Sequence, residues 1–190
     1  MKSIESIPEG FSEFVPSPNK NRKTNRFKFF ISSDESVILK KVCELDSDYS
    51  RRLRRENNRT NLIKLFAGHE FPEYLQEHIV KGFDIQADGS YKSAFVHGYR
   101  LDLLGERTIP PGQKSKIIIE IDSLVKKLIQ ANNAGSLTGD WALHNLIFCL
   151  ELERIVNVDL EGFVTYSPLP TWVGISDIVQ WLKEALNKIS

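Results

Sequence analysis

The order of elements from Ser115 to Glu161 constrains this chain more than any other feature. Residues Ser115–Ala134 carry Ile117, Ile118, Ile121, Leu124, Val125 and Leu128 at three- and four-residue steps, the spacing that collects apolar side chains on one helical face. Ser115 is placed to cap the start of this helix and Gly135 to end it. The chain then enters Gly139–Glu161, GDWALHNLIFCLELERIVNVDLE, where Leu146–Leu150 and Arg154–Val158 read as two short apolar strands around a tight turn at Glu151–Glu153. Asp140, Asn145 and Asp159 stand at the ends of that hairpin, so three oxygen-bearing side chains can face one pocket.

Upstream the pattern is mostly of strands. Gly10–Val15 suits a first strand, Ser17–Asn25 (SPNKNRKTN) a turn or loop, and Arg26–Ser32 and Val37–Cys43 two strands around the polar turn Ser33–Ser36. In the last of these the two-residue period puts Ile38 and Lys40 on one face and Leu39 and Lys41 on the other, so one lysine points toward a pocket and its neighbour toward solvent. Ser47–Ala67 reads as a helix closed by Gly68, with Leu53, Leu62, Ile63 and Phe66 on a sparse apolar side. Its arginines at 51, 52, 54 and 55 are either a solvated face or a contact for phosphate or nucleic acid. His78–Gln86 and Ser90–Tyr99 form a hairpin around Ala87-Asp88-Gly89. Leu101, Leu103 and Leu104 begin a short helical or irregular piece that stops at Pro110-Pro111-Gly112, a break between lobes. After a proline-bearing loop at Tyr166–Pro170, Ser176 is placed to cap a final helix bearing Ile178, Val179, Leu182, Leu186 and Ile189.

The totals narrow the partners. At 190 residues the chain suits one domain or two small lobes. Its 25 basic and 25 acidic residues cancel, so no global field favours nucleic acid or an anionic membrane. Cys43 and Cys149 lie in apolar strand-like runs without C-x-x-C spacing, which predicts reduced core thiols in a cytoplasmic protein. The opening MKSIESIPEG lacks an apolar signal region, and no run approaches the roughly 18 apolar residues of a membrane helix, so neither secretion nor membrane spanning is expected.

An Asp five residues before an Asn means little alone. Its context is what phosphoryl transfer requires: an Asp that accepts the proton of an attacking hydroxyl, then an Asn and a second Asp that hold magnesium on nucleotide phosphates. Against that stand plainer roles. Asp140 and Asn145 suit turns or caps, Asp159 the end of a strand, His144 a packed loop residue or a proton carrier, and Trp141, Trp172 and Trp181 core anchors.

The succession of strand, lysine strand, helix, hairpin, link, long helix, D-x-x-x-x-N loop, hairpin and Asp resembles the protein-kinase-like fold over about residues 26–163. Within it, GDWALHN followed by VDLEGF looks more like the aminoglycoside, choline and sugar kinases than like protein kinases with HRD and DFG. The resemblance implies an α+β, two-lobe fold: residues 1–104 as a small antiparallel-sheet lobe with a hinge near 95–104, and residues 105–190 as a reduced, mostly helical lobe carrying 139–161 as a catalytic-loop-like segment. It implies ATP and Mg2+ as cofactors. Asp140 resembles the catalytic base, and Asn145 and Asp159 the metal ligands. Lys40 resembles the phosphate-pairing strand lysine, with Lys41 one register away and Glu56 as its helix partner. Phe95–Leu101, FVHGYRL, resembles the hinge, so the backbone around Phe95 and His97 meets an adenine edge that Ile38 and Phe95 wall in.

The chain departs from the family pattern in three places. Thr138 stands where a histidine usually precedes the base by two residues, so the contact that buttresses the loop is lost or replaced. No Gly-rich loop follows the first strand, leaving Lys20, Arg22 and Lys23 as substitute point charges. About thirty residues follow Asp159, so the acceptor pocket is minimal, borrowed from a second copy or a protein partner, or absent. The leading expectation is therefore a phosphotransferase acting on a hydroxyl of a small molecule or sugar. The alternatives are a pseudokinase or nucleotide-binding module without transfer, and a nucleic-acid binder using the arginine run.

Overall fold

A computed structural model describes residues 7–14, 27–42, 72–86, 90–160 and 174–189. The expected helix Ser47–Ala67 with Glu56 and the arginine run, the loops Ser17–Asn25 and Tyr166–Pro170, Cys43 and Trp172 lie outside these residues. The chain divides into two compact units, one of residues 1–67 and 81–95, the other of residues 68–80 and 96–190.

The first unit is built on an antiparallel sheet. Strands β1 (Phe11–Phe14), β2 (Phe27–Ser32), β3 (Val37–Val42), β4 (Gly82–Phe83) and β5 (Tyr91–Ala94) lie in the order β1-β2-β3-β5-β4. In the β2–β3 register Phe30 pairs with Leu39, and both are buried, which makes this cross-strand pair the apolar contact of the hairpin. Asp34 closes the β2–β3 turn: its carboxylate accepts the Ser32 hydroxyl at 2.5 Å, the Ser36 hydroxyl at 2.8 Å and the Ser36 N–H at 3.1 Å. These bonds, Ser32 foremost, hold the Asp34 carboxyl down at about 2. The expected strand His78–Gln86 is reduced to two residues, for two reasons. His78–Val80 is drawn aside into a parallel bridge at Ile79 and Asn157, and Asp84 adopts a φ of 53° that breaks the extended run. The partner run Ser90–Tyr99 is split as well: β5 stays in this sheet, and the residues beyond it enter another.

That second sheet belongs to the second unit and has the order β6-β7-β8, with β6 Gly98–Arg100, β7 Leu146–Cys149 and β8 Arg154–Asn157. Gly98 pairs with Cys149, and a Cβ at Gly98 would lie 1.9 Å from the Phe148 carbonyl oxygen, so only glycine allows this approach. A 3-10 segment, Leu101–Glu106, follows β6 and buries Leu101 and Leu104.

The long helix, α2 (Pro111–Asn133), starts one turn before the expected Ser115. Pro111 suits a first helical position because its missing N–H has no partner there, and Ser115 instead donates its hydroxyl back to the Pro111 carbonyl at 3.3 Å. Gly135, at φ 67°, ends the helix: its N–H reaches the Asn132 carbonyl at 3.0 Å and the Ser136 N–H reaches Ala131 at 2.9 Å, the Schellman pattern. Ile117, Ile121, Leu124, Leu128 and Ala131 recur at steps of four and three, and all are completely buried. Each of the larger ones contributes about 1.5–3 kcal/mol by leaving water. The last helix, α3 (Ile175–Asn187), is capped by Gly174, whose N–H donates to the Asp177 carboxylate at 2.8 Å, and not by Ser176. A short helix that the sequence pattern did not announce, α1 (Glu73–Gln76), begins after Pro72 and buries Leu75. Among the described residues no helix is long and apolar enough to cross a membrane.

A polar cluster is enclosed between α2, β8 and the end of α1. His78 is completely buried; its Nδ1 lies 2.8 Å from the Ile155 carbonyl and its Nε2 2.9 Å from Lys127 Nζ. A lysine ammonium only donates, so Nε2 accepts and Nδ1 carries the proton, which makes the ring neutral. Glu77 takes Lys127 and Arg154, and Glu120 lies 3.7 Å from Nδ1. Burial, with Lys127 and Arg154 adding to it, lowers the His78 pKa from 6.5 to about 4.

The unfolded chain therefore binds more protons than the folded one as pH falls from 6.5 toward 4, and stability is lost across that window, by an amount on the order of 2–3 kcal/mol. Glu77, held low mainly by Lys127, adds to the loss at still lower pH, whereas Glu120, raised by burial, titrates in the opposite sense. Urea midpoints measured from pH 7 to 4.5 should fall in the parent. They should fall less in His78→Asn, which keeps a donor for Ile155 but nothing that titrates. Equal slopes for the two proteins would show that His78 does not govern acid stability.

Candidate functional site

Within the second unit the loop from α2 to β7 is shaped by its backbone and one indole. Gly139 turns with a φ of 98°, a conformation side chains resist. Trp141 is 1% exposed and donates Nε1–H to the Thr138 carbonyl at 2.7 Å, so a large ring in the core anchors the residue next to Asp140. Asp140 Oδ1 accepts the Ala142 N–H at 3.1 Å, an Asx turn that fixes the carboxylate against its own loop. Oδ2 of the same carboxylate takes no hydrogen bond among the described residues.

A 3-10 turn, Leu143–Asn145, then brings Asn145 inward to 6% exposure. Its N–H donates to the Ala142 carbonyl and its carbonyl accepts the Val158 N–H, each at 2.9 Å, which ties the loop to the residue before Asp159. Its Nδ2 makes only a long 3.4 Å contact with the Asp140 carbonyl, and its Oδ1 takes no hydrogen bond among the described residues. Asn157, at the end of β8, is completely buried. It donates Nδ2–H to the Asp140 carbonyl at 2.8 Å and accepts the Asp159 N–H on Oδ1 at 2.9 Å.

Asp140, Asn145 and Asp159 are thus brought into one hydrogen-bonded knot in the second unit. Ile38, Lys40 and Phe95 belong to the first unit. There Lys40 Nζ lies 5.7 Å from the ring centroid of the buried Tyr91, its cross-strand partner, and Phe95 packs edge-on against Phe14 with ring centroids 5.4 Å apart. The Phe95 N–H is engaged by the Ser36 carbonyl at 2.9 Å. His97, in the second unit, gives its carbonyl to the Leu150 N–H at 3.0 Å. Glu56 lies outside the described residues. His144 is half-buried in the 3-10 turn.

Sequence reasoning passed over Asn157, although a signal was there. One carboxamide inside the apolar run Ile155-Val156-Asn157-Val158 has to find partners once it is buried. The residues joined in the knot bear two carboxylates and one carboxamide, hard oxygen donors of the kind that suits magnesium. Among the described residues no group of three or more His, Cys, Asp or Glu side chains forms an all-protein cage, so phosphate or water oxygens would have to complete a coordination sphere here.

The Asx turn separates structural from chemical roles. Asn offers the same oxygen to the Ala142 N–H, so Asp140→Asn should unfold in urea within about 0.5 kcal/mol of the parent. Trp141→Ala should lose about 3–5 kcal/mol. A loss above about 2 kcal/mol for Asp140→Asn would mark that carboxylate as part of the scaffold.

No protein-family model matches the chain, and no curated protein matches it in sequence. Among solved structures, that of the bifunctional kinase-methyltransferase WbdD superimposes with a TM-score of 0.52 at 13% sequence identity, covering 93% of this chain and 47% of that one. A second WbdD structure, with a kinase inhibitor, matches with a TM-score of 0.47 at 12% identity, over 87% and 44%. The chain therefore spans about half the length of the protein it matches. At this identity the likeness concerns the backbone alone, and that backbone is an α+β, kinase-like fold.

Proposed function

We propose that the chain is an ATP- and Mg2+-dependent phosphotransferase of the small-molecule kinase type, acting on a hydroxyl of a small molecule or sugar. The observation that carries this reading is the knot. It joins Asp140, Asn145 and Asp159 through partly buried hydrogen bonds while Asp140 Oδ2 and Asn145 Oδ1 take no hydrogen bond among the described residues. A kinase-like backbone is consistent with it. On this reading the unit of residues 1–67 and 81–95 corresponds to the sheet-rich lobe and the unit of residues 68–80 and 96–190 to the other lobe, the protein works in the cytoplasm, and a second copy or a protein partner completes the acceptor site.

The residues fit the cofactors on chemical grounds. Asn145 and Asp159 would hold Mg2+, Lys40 the phosphates, and Ile38 with the backbone from Phe95 through His97 the adenine. When bound, Mg·ATP supplies the transferable phosphoryl group and neutralises the charge that develops on it. Asp140 orients the acceptor hydroxyl and takes its proton. The Ala142 N–H keeps one carboxylate oxygen in place, so the other presents its lone pairs in a fixed direction. Little covalent work falls to the protein, and rate comes from positioning and charge.

Thr138 favours a second reading. An Nε1–H···O bond from Trp141 to its backbone occupies the position where the resembling family carries a histidine, and a loop altered there suits a nucleotide-binding module without transfer. Thermal unfolding with ATP, with and without Mg2+, and formation of ADP together with a phosphorylated acceptor over a panel of alcohols and sugars distinguish the two. The parent should be stabilised by Mg·ATP and should transfer phosphate. Asp159→Asn should lose the Mg2+-dependent stabilisation, and Asp140→Asn should keep it but lose transfer by 10²-fold or more. Transfer by both variants at the parental rate would remove the proposal; stabilisation without transfer in the parent would leave the second reading.

A further inference from the structure

We infer that Asn157 is a positioning residue that sets Asp140 and Asp159 relative to each other and thereby sets the affinity for a divalent metal–nucleotide complex. This inference rests on the phosphotransferase reading of the knot and adds to it a residue that the sequence pattern does not assign.

The geometry carries the argument. All four polar groups of Asn157 are engaged. Its N–H donates to the His78 carbonyl at 2.7 Å, its carbonyl accepts the Val80 N–H at 2.9 Å, and its carboxamide spans the Asp140 carbonyl at 2.8 Å and the Asp159 N–H at 2.9 Å. The backbone is therefore fixed by residues 78–80 and the side chain by the two acidic residues, which leaves the carboxamide no other rotamer that keeps its bonds. The two partners are polar groups of opposite kind, a carbonyl and an N–H. A single side chain satisfies both only if it carries a donor and an acceptor at carboxamide spacing.

A role in stability alone explains this poorly. An apolar side chain would fill a strand end inside Ile155–Val158 without the cost of burying a carboxamide. What Asn adds is a direct bond to the main chain of each acidic residue. Partners that orient metal-binding groups in this way typically change metal affinity 10–100-fold when they are removed.

The test compares calorimetric Kd values for ADP with and without Mg2+ in the parent, Asn157→Leu, Asn157→Asp and the core truncation Leu182→Ala. Leu keeps the branched shape and removes both bonds. Asp keeps the acceptor for Asp159 but turns an acceptor toward the Asp140 carbonyl. If the Leu variant does not fold, Asn157→Ser, which is smaller and cannot span both partners, takes its place. In the Asn157 variants the Kd for Mg·ADP should rise 10–100-fold while the Kd for ADP alone stays within twofold. Leu182→Ala should lower the melting temperature and leave the effect of Mg2+ unchanged. Asn157 variants that bind Mg·ADP within twofold of the parent would overturn the inference and leave the phosphotransferase reading intact. A parent with no Mg2+-dependent ADP binding would overturn both.

Discussion

Burial of one face of α2 is the interaction on which the second unit depends. Ile117, Ile121, Leu124, Leu128 and Ala131 are closed off from water on that face, and the helix contacts both β8 and α3. With α2 fixed, its Gly135 exit sets where the loop begins, and with β8 fixed, Asn157 and Asp159 have their places. The loop 136–145, between Gly135 and β7, then has little freedom. Trp141 takes up core volume, Gly139 supplies the turn, and the carbonyl of Asp140 is left where the Asn157 carboxamide meets it.

The consequence for chemistry is a division of labour within single residues. The main chains of Asp140, Asn145 and Asp159 are committed to the scaffold, through Asn157, Val158 and Ala142. On the phosphotransferase reading, their side chains would supply the oxygens for a cation and a hydroxyl. The placement of these residues in the loop is in this way imposed by neutral hydrogen bonds to their main chains. The cluster around His78 does the same for the strut at residues 78–80: His78 is neutral, its ring nitrogens are both engaged, and its carbonyl holds the Asn157 N–H.

Much of this was legible in the sequence because it rests on periodicity. The β2–β3 and β7–β8 hairpins, the helical face of α2 and its end at Gly135 follow from spacing and one glycine. The order of these elements is also what led to the kinase-like resemblance. What escaped was local or tertiary. The start of α2 belonged to Pro111, whose preference for the first helical position outweighed a candidate cap at Ser115, and α3 was capped by the Gly174–Asp177 pair in place of Ser176. The strand at 78–86 was shortened because His78–Val80 bonds to Asn157, a long-range pairing of Ile79 with the end of β8 that no local pattern encodes. Asn157 lay unremarked within the expected strand Arg154–Val158, and its bonds to the Asp140 carbonyl and to residues 78–80 join segments that meet only in the folded chain.

The most direct measurement is the paramagnetic broadening of backbone amide resonances by Mn2+ with ADP. If Asn145 and Asp159 hold the metal, the amides of Ala142, Asn145, Val158 and Asp159 should be the first to broaden as Mn2+ is added, and Mg2+ should reverse the effect by competition. Broadening centred on surface carboxylates such as Asp84 or Glu153, or none at all with ADP present, would contradict a metal–nucleotide site at the knot.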